Sequence, residues 1–385
     1  MPLIKLTTNI LRSFIFLIIL FYSENNLGSV SLLSFMSFVT VLGILFGFGS
    51  VDSLAKSSED SFATFYKYKQ RFIPLLLVSI LLIFLNFKIM NIFLSSLYFG
   101  TSFWFLGEIR RKSILVYELI ISFYMLIFWI CYLPLVAIET STYQNLTMLF
   151  YLASILCLVF SIKVKTNEIQ DDLNKKDFMQ VSYAKLGWEI TYSLWTRNAF
   201  IFWSSFHFIP PVLSYFYYIS ELFSAIISHY QSIFIKSNEI SRNIKIFFKI
   251  IIVLLVLYVV LFSSLILIFN YREYIISLVE NYIYIDQSIK EILYFDYSAL
   301  LLCLIIGTNI FAIQIVAYGR YAYHLYDNLR LVYIFGILLL LNVIISIAFL
   351  FSLNIIGLII SNLFMIASVI IGIMYIINFN QNKTV

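Results

Sequence analysis

The sequence predicts an all-α membrane protein with about twelve transmembrane helices in two six-helix lobes and both termini in the cytoplasm. Three observations predict this class: a 385-residue chain that is 62% hydrophobic and 12% charged, apolar stretches that recur along it, and basic residues confined to alternate loops. A soluble chain carries roughly 25% charged residues, whereas a membrane-spanning helix needs about 20 apolar ones. The apolar stretches lie at residues 3–22, 28–54, 72–88, 90–107, 113–138, 145–162, 186–208, 210–235, 246–269, 293–318, 331–351 and 353–378.

The distribution of basic residues sets the orientation of these stretches. Of the 25 lysines and arginines, 20 lie at the termini or in every second loop. The other loops hold only Lys88, Arg272 and Lys290. Because basic loops stay on the cytoplasmic side of a membrane, the sequence predicts that both termini are cytoplasmic. The two remaining basic residues, Arg12 and Arg197, lie inside predicted helices.

Composition and motifs exclude several other classes of protein. The inside-positive bias accounts for the net charge of +5, so no nucleic-acid partner is expected. The three cysteines fall within predicted helices and have neither disulfide nor metal-ligand spacing. No glycine-rich loop ends in Lys-Ser or Lys-Thr, which excludes ATP hydrolysis by that route. The first apolar stretch is followed by Phe-Tyr-Ser-Glu-Asn-Asn, which favours a retained helix over a cleaved signal peptide.

The longest charged segment divides the chain into two lobes. The predicted boundaries are an N-terminal lobe at 1–164, a cytoplasmic linker at 165–184 and a C-terminal lobe at 185–385. Since six helices is an even number, both lobes would have the same orientation, as in transporters built from parallel repeats. Weak self-similarity favours this division, because Arg12 and Arg197 each begin a short aromatic segment near the middle of the first helix of a lobe.

Polar side chains form stripes on the first two helices of each lobe. The eighth helix is the clearest, with six polar residues at helical spacing on one face. The stripes consist of Lys5, Thr8 and Arg12 on helix one; Ser34, Ser37, Thr40 and Ser50 on helix two; Glu189, Ser193 and Arg197 on helix seven; and Ser214, Tyr217, Glu221, Ser224, Ser228 and Gln231 on helix eight. A polar face in a bilayer turns toward protein or water. The stripes therefore predict one central aqueous cleft.

Alternatives remain open for several of these residues. The stripe on helix two carries Gly43 and Gly47, and this spacing is also typical of close helix packing. Arg197 and Glu221 are predicted at similar depth on either side of a turn, so they can pair. Arg197 is therefore interpreted either as part of a structural salt bridge or as a contact for substrate. Arg12 has no carboxylate at its own depth in the neighbouring helix, and it either reaches Glu221 or binds an external anion, for which a guanidinium group is suited.

Two polar groups outside the stripes have simpler interpretations. The three histidines lack ligand spacing and are interpreted as interfacial or packed side chains. Thr308, Asn309 and Gln314 in the tenth predicted helix are candidates for hydrogen bonds between helices.

Two local segments carry a resemblance to a known family. Leu-Gly-Ser-Val-Ser-Leu at 27–32, followed by Gly-Phe-Gly-Ser-Val-Asp at 47–52, resembles the second helix of polysaccharide-biosynthesis transporters. Ile-Ile-Gly-Leu-Ile-Ile-Ser at 355–361 resembles their last helix. Together with the two-lobe topology, these segments resemble the multidrug/oligosaccharidyl-lipid/polysaccharide exporter superfamily, and within it the O-antigen and capsule repeat-unit flippases. The chain departs from the family at 22–26, where Tyr-Ser-Glu-Asn-Asn replaces a basic residue.

The resemblance implies a MATE-like fold and a transporter, not an enzyme. Its expected activity is flipping of an undecaprenyl-diphosphate-linked oligosaccharide, an O-antigen or capsule unit, from the cytoplasmic to the periplasmic leaflet. Arg12 and Arg197 would attract the diphosphate and glycan, and Lys5, Ser214, Tyr217 and Ser224 would line the cleft. Glu221, with Glu189, would carry a proton or reset the charge pair.

The same resemblance sets expectations for partners and location. No cofactor or metal is expected, and H⁺ and Na⁺ are the candidate coupling ions. The expected partners are the lipid-linked glycan, the bilayer of the bacterial inner membrane, a polysaccharide polymerase and a chain-length regulator.

Two alternative functions remain. A polymerase of the same pathway is disfavoured because its catalytic loop is long, whereas the longest outside loop here, 270–292, has about 23 residues. A MATE-like drug exporter is disfavoured by an arginine-lined cleft.

Overall fold

The computed structural model describes residues 2–23, 29–47, 79–80, 82–83, 87–137, 143–164, 244–280, 300–301, 303–312 and 329–381. Every regular element within these ranges is helical. The helices are α1 (Pro2–Ser23), α2 (Ser29–Gly47), α3 (Lys88–Lys112), α4 (Ile114–Ala137), α5 (Tyr143–Lys163), α6 (Ile244–Asn270), α7 (Arg272–Glu280) and α8 (Leu329–Gln381), with a shorter apolar helix at Cys303–Ala312. The all-α prediction is confirmed for the described residues.

Membrane-spanning length is reached by several of these helices. In the part of the chain that the structure describes, Lys88–Lys112, Leu115–Leu135 and Tyr143–Lys163 are long and apolar enough to cross a bilayer. A fourth crossing is counted if α6 and α7, which meet at a bend of 67°, form one broken span. These helices indicate a membrane protein, as the sequence predicts.

Two compact units divide the chain. One contains Met1–Ser193 and Val332–Gly336, and the other contains Leu194–Leu331 and Ile337–Val385. We call them the N-terminal unit and the C-terminal unit. The predicted linker, 165–184, lies outside the described residues, so the predicted lobe boundaries stay a prediction.

The N-terminal unit is built around α3, which packs against α2, α4 and α5, while α1 packs against α4. Paired contacts give the helix directions. Asn91 lies beside Thr147 and Lys112 beside Ser161, so α3 and α5 are parallel. Ser102 of α3 contacts Tyr124 of α4, and only Ser113 separates the two helices in the chain, so α4 is antiparallel to α3. These directions agree with the alternation that the loop charges predict.

The glycines of α2 set its distance from α3. A Cβ atom added to Gly43 would lie 2.5 Å from Phe99, and one added to Gly47 would lie 2.6 Å from Phe103. On the facing helix, a Cβ atom on Gly100 of α3 would lie 2.7 Å from the backbone oxygen of Gly43. The two backbones therefore approach closely because glycines face each other, as small residues allow between membrane helices.

The N-terminal unit is more polar inside than outside. On α5 the buried face carries Thr147, Ser154 and Ser161, whereas Leu152 and Leu156 are exposed. A soluble protein has the opposite arrangement because its surface faces water. The apolar outer surface is what a hydrocarbon environment requires.

The structure differs from the sequence prediction at two places. The predicted turn between spans 331–351 and 353–378 is wrong, since α8 is one continuous helix of 53 residues. Neither proline nor glycine interrupts the chain there, and the Ser352 hydroxyl donates back to the carbonyl of Ala348 within the helix. The outside loop predicted at 270–292 contains a further helix, α7, because apolar residues continue after Arg272.

Candidate functional site

The sequence singles out eight residues for a cleft, and the structure describes two of them. Lys5 and Arg12 both lie in α1. The other six, which lie outside the described residues, are Glu189, Arg197, Ser214, Tyr217, Glu221 and Ser224. The predicted ion pair and the polar face of the eighth predicted helix therefore stay predictions.

Arg12 occupies the middle of an apolar helix. It is the eleventh of the 22 residues of α1, and its side chain is partly exposed. Because α1 is helical throughout, Lys5, Thr8 and Arg12 share one face. Thr8 is buried, whereas Leu11 and Phe14 on the flanking faces are exposed. The helix thus carries a guanidinium group halfway along its length, one turn beyond the buried Thr8.

Three residues of the polar stripe of α2 are described, and Ser37 is buried while Ser34 and Thr40 are half-buried. Ser37 is only 1% exposed, and its hydroxyl has no hydrogen-bond partner among the described residues. The Thr40 hydroxyl donates to the carbonyl of Met36 in its own helix at 2.7 Å. Gly43 and Gly47 also approach α3 closely, which confirms the packing interpretation for this glycine pair.

Three buried polar residues join α3 to α5 at the end where both helices begin, and we call them the N-terminal seam: Asn91, Ser95 and Thr147. The Ser95 hydroxyl donates to the Thr147 oxygen at 2.9 Å. The Thr147 hydroxyl in turn lies 2.8 Å from the carbonyl oxygen of Tyr143 and 3.2 Å from Asn91 Oδ1. The Asn91 amide donates to the carbonyl of Phe87 at 3.2 Å. Every side chain of the seam has a partner, so its polar groups stabilise helix packing.

Two tyrosine–serine contacts continue this polar line along α3. The hydroxyls of Ser79 and Tyr98 lie 2.7 Å apart, and the Tyr98 ring meets that of Tyr151 edge-on at 5.2 Å. Further along, the hydroxyls of Ser102 and Tyr124 lie 3.3 Å apart. Each contact joins α3 to a different segment, so α3 is the polar axis of the unit.

A buried carboxylate lies at the far end of α3. Glu108 is 1% exposed, and its two oxygens lie 3.4 Å from Arg111 Nε and 3.4 Å from Lys112 Nζ. Lys112 also donates to the carbonyl of Ser161 at 2.6 Å, in the last turn of α5. Cations near a helix C-terminus interact favourably with its unpaired carbonyls. Lys112 therefore ties the ends of α3 and α5 together through one carboxylate and one carbonyl.

The C-terminal unit contains a second polar contact between helices, which we call the C-terminal seam: Thr308 and Asn362. The Asn362 amide donates to the Thr308 hydroxyl at 3.4 Å, which confirms the predicted interhelical hydrogen bond for Thr308. Both residues are buried, yet Asn362 Oδ1 has no hydrogen-bond partner in the part of the chain that the structure describes. Thr308 also donates to Leu304 of its own helix at 2.7 Å, so the bond between the helices is the weaker one.

No metal centre is formed by the described residues, since no three His, Cys, Asp or Glu side chains come together there. Comparison with protein-family models, with curated proteins and with solved structures found no match to this chain.

Sequence reasoning missed the N-terminal seam and Glu108. Asn91, Ser95 and Ser102 recur at spacings of four and seven, which is the spacing of one helix face, so a signal was present in the fourth predicted span. Glu108 stands beside three basic residues at the end of that span. This neighbourhood is typical of a solvated helix end, whereas tertiary packing leaves the carboxylate only 1% exposed.

Proposed function

We propose that this chain flips a lipid-linked oligosaccharide with a diphosphate group from the cytoplasmic to the periplasmic leaflet of a bacterial inner membrane. The observation that carries the proposal is Arg12, a partly exposed guanidinium in the middle of the apolar helix α1. A charge at the centre of a bilayer costs about 2.5–3.5 kcal/mol on insertion scales. Such a cost is tolerated where the charge has a function, and charged residues in membrane helices mark the paths of ions and polar substrates.

An anionic group on the substrate suits this arginine. Guanidinium groups bind phosphate oxygens through two parallel hydrogen bonds, which fixes orientation as well as adding binding energy. Arg197 in the second lobe would supply a matching cation from the opposite wall of the cleft. The lipid tail would remain in the bilayer while the diphosphate and sugars pass through the polar cleft, so the hydrocarbon is never moved into water.

Alternating access supplies the movement in this proposal. The two lobes would rock between states open to either side around a fixed site, as in other transporters with repeated halves. Glu221, with Glu189, would pair with an arginine when substrate is absent, and a proton or Na⁺ would complete the cycle. A polymerase and a chain-length regulator would receive the flipped unit on the periplasmic side.

Deletion of the gene in its own host tests the function. The flippase proposal expects loss of surface glycan together with full-length lipid-linked units retained inside the cell. A surface glycan reduced to single units would instead mean that units cross and are not joined, which would replace the flippase with a polymerase. Unchanged surface glycan and lipid-linked units would point away from this pathway.

Complementation of the deletion tests the role of Arg12. We expect Arg12→Gln to lower glycan export at least tenfold while Arg12→Lys retains part of it, because lysine keeps the charge without the fork geometry. Arg272→Gln, at the start of α7, is the matched control and should complement fully. All three variants must reach the membrane at equal levels. Full complementation by Arg12→Gln would show that glycan export does not need the charge of Arg12, which would contradict the proposal.

A further inference from the structure

One end of the N-terminal unit gathers basic side chains from two helices, and we call this group the basic collar: Arg110, Arg111, Lys112 and Lys163. The first three form the last turn of α3, and Lys163 ends α5. The hydrogen bond from Lys112 to the last turn of α5 brings the two helix ends together. This is the end that the loop charges predict to be cytoplasmic.

The charged side chains described at this end of the unit have a net positive charge. The described residues at this end include two carboxylates, Glu108 and Glu118, against four cations. Glu108 is buried and engages Arg111 and Lys112. The balance among these side chains is therefore +2, and Lys163 is the most exposed of the four cations.

Apolar stripes lead to the collar along two neighbouring helices. On α4 the exposed residues at successive helical turns are Leu115, Leu119, Phe123 and Ile127. On α5 they are Met148, Leu152, Leu156 and Val159. Because α4 and α5 pack together and run in opposite directions, the start of the first stripe and the end of the second lie at the same end of the unit as the collar.

We propose that the collar and these two stripes form a docking surface for a phospholipid with a negatively charged headgroup. The acyl chains lie along the exposed stripes, and the headgroup phosphate contacts Lys163 and Arg110. Charge complementarity decides the occupant: a zwitterionic lipid gains only the apolar contact, whereas an anionic one also gains the attraction of the collar. Basic residues beside membrane helices on the cytoplasmic side bind anionic lipids in this way, by about fivefold for each cation.

Arg110 is held in position for this contact by an aromatic ring. Its guanidinium lies 5.3 Å from the centre of the Tyr117 ring, on the first turns of α4. A similar pair occurs at the opposite end of the unit, where Lys88 lies 5.4 Å from the Tyr143 ring. Lys88 therefore offers a matched control: a cation on α3 with the same type of ring contact but outside the collar.

The test uses the purified full-length chain in detergent, titrated with phosphatidylglycerol or with phosphatidylcholine of the same acyl chains. Bound lipid is counted by native mass spectrometry. We expect the wild type to prefer phosphatidylglycerol, Lys163→Gln and Arg110→Gln each to weaken that preference about fivefold, and the double variant about 25-fold. Lys88→Gln and the charge-conserving Lys163→Arg should keep it.

Three results would overturn the proposal. Equal binding of both lipids to the wild type would remove the headgroup selectivity, and an undiminished preference in the double variant would place the selectivity elsewhere. Inorganic phosphate alone should leave the thermal unfolding midpoint unchanged; a rise equal to that produced by phosphatidylglycerol would indicate a free-anion site instead. Lipid binding is measured without transport, so this test stands apart from that of the proposed flippase.

Discussion

The N-terminal and C-terminal seams use the same kinds of side chain and reach different outcomes. In the N-terminal seam, Thr147 lies within hydrogen-bonding distance of Ser95, Asn91 and a backbone carbonyl. In the C-terminal seam, Thr308 and Asn362 share one bond of 3.4 Å, and the Asn362 oxygen has no hydrogen-bond partner among the described residues. A buried acceptor left without a bond costs about 1–3 kcal/mol. The first seam therefore holds its helices more firmly than the second.

Glycine contacts repeat the contrast. A Cβ atom on Gly100 would meet Gly43 O at 2.7 Å and Gly47 N at 2.9 Å, both backbone atoms of α2. For a Cβ atom on Gly307, in the C-terminal unit, the three nearest atoms all belong to the side chain of Tyr258, the closest at 2.8 Å. Backbone atoms cannot move without shifting a whole helix, whereas a ring can rotate. The approach of the helices is therefore limited by main-chain atoms at Gly100 and by a side chain at Gly307.

The largest expected effect comes from closing the glycine contact in the N-terminal unit. We expect Gly100→Ala to lower the free energy of unfolding by about 3 kcal/mol, at the upper end for an overpacked core. Gly307→Ala should cost less than about 1 kcal/mol, because the Tyr258 ring can turn aside. Denaturant titration of both variants in the same detergent measures the difference. Equal losses of unfolding free energy in the two variants would show that both interfaces accommodate an added methyl group equally well.

A smaller effect is expected from removing one hydroxyl in each seam. Thr147→Val leaves the hydrogen bonds of Ser95 and Asn91 Oδ1 without their partner, so we expect a loss of about 1–3 kcal/mol. Thr308→Val removes one long bond and should cost about 1 kcal/mol or less. The same titration applies, and valine keeps the shape of threonine in both cases. A larger loss for Thr308→Val would reverse the ranking of the seams.

The smallest effect is expected at Asn362. Asn362→Leu removes an oxygen that lacks a hydrogen-bond partner among the described residues, together with the 3.4 Å bond from the Asn362 amide to Thr308. Because Thr308 keeps its bond to Leu304, we expect the two losses to change the free energy of unfolding by less than about 1 kcal/mol. Asn91→Leu, in the other seam, should destabilise by about 1–3 kcal/mol, because it removes two bonded polar atoms. Thermal unfolding of the two variants side by side measures this contrast. A strong loss for Asn362→Leu would mean that its carboxamide is used in the fold.

Much of the helical framework could be predicted from the sequence. The predicted spans 3–22, 90–107 and 145–162 each fall within one helix of the structure, because apolar length and flanking charge mark a membrane helix directly. The predicted turn at 352 failed, since the limit of one span and the start of the next were placed by length alone. A continuous apolar sequence carries no internal sign of where a helix should reverse.

The candidate site was predicted less completely. The position of Arg12 inside a helix follows from sequence, because a lone charge in an apolar segment is easily recognised. The contact of Lys112 with α5 does not follow from it, since the carbonyl that Lys112 reaches belongs to Ser161, 49 residues away. Which hydroxyl meets which depends on the rotation of one helix against another.

Composition and charge placement act residue by residue, and they are enough to predict helices with an apolar exterior suited to a bilayer. The central place of α3 in the N-terminal unit, and its closest approach to α2 at Gly43 and Gly100, come from tertiary packing. Tertiary packing also sets how fully each seam is paired: among the described residues, every side chain of the N-terminal seam has a partner and Asn362 Oδ1 has none. These features depend on differences of a few tenths of an ångström in the distances between segments far apart in the chain. No local sequence pattern specifies distances so closely.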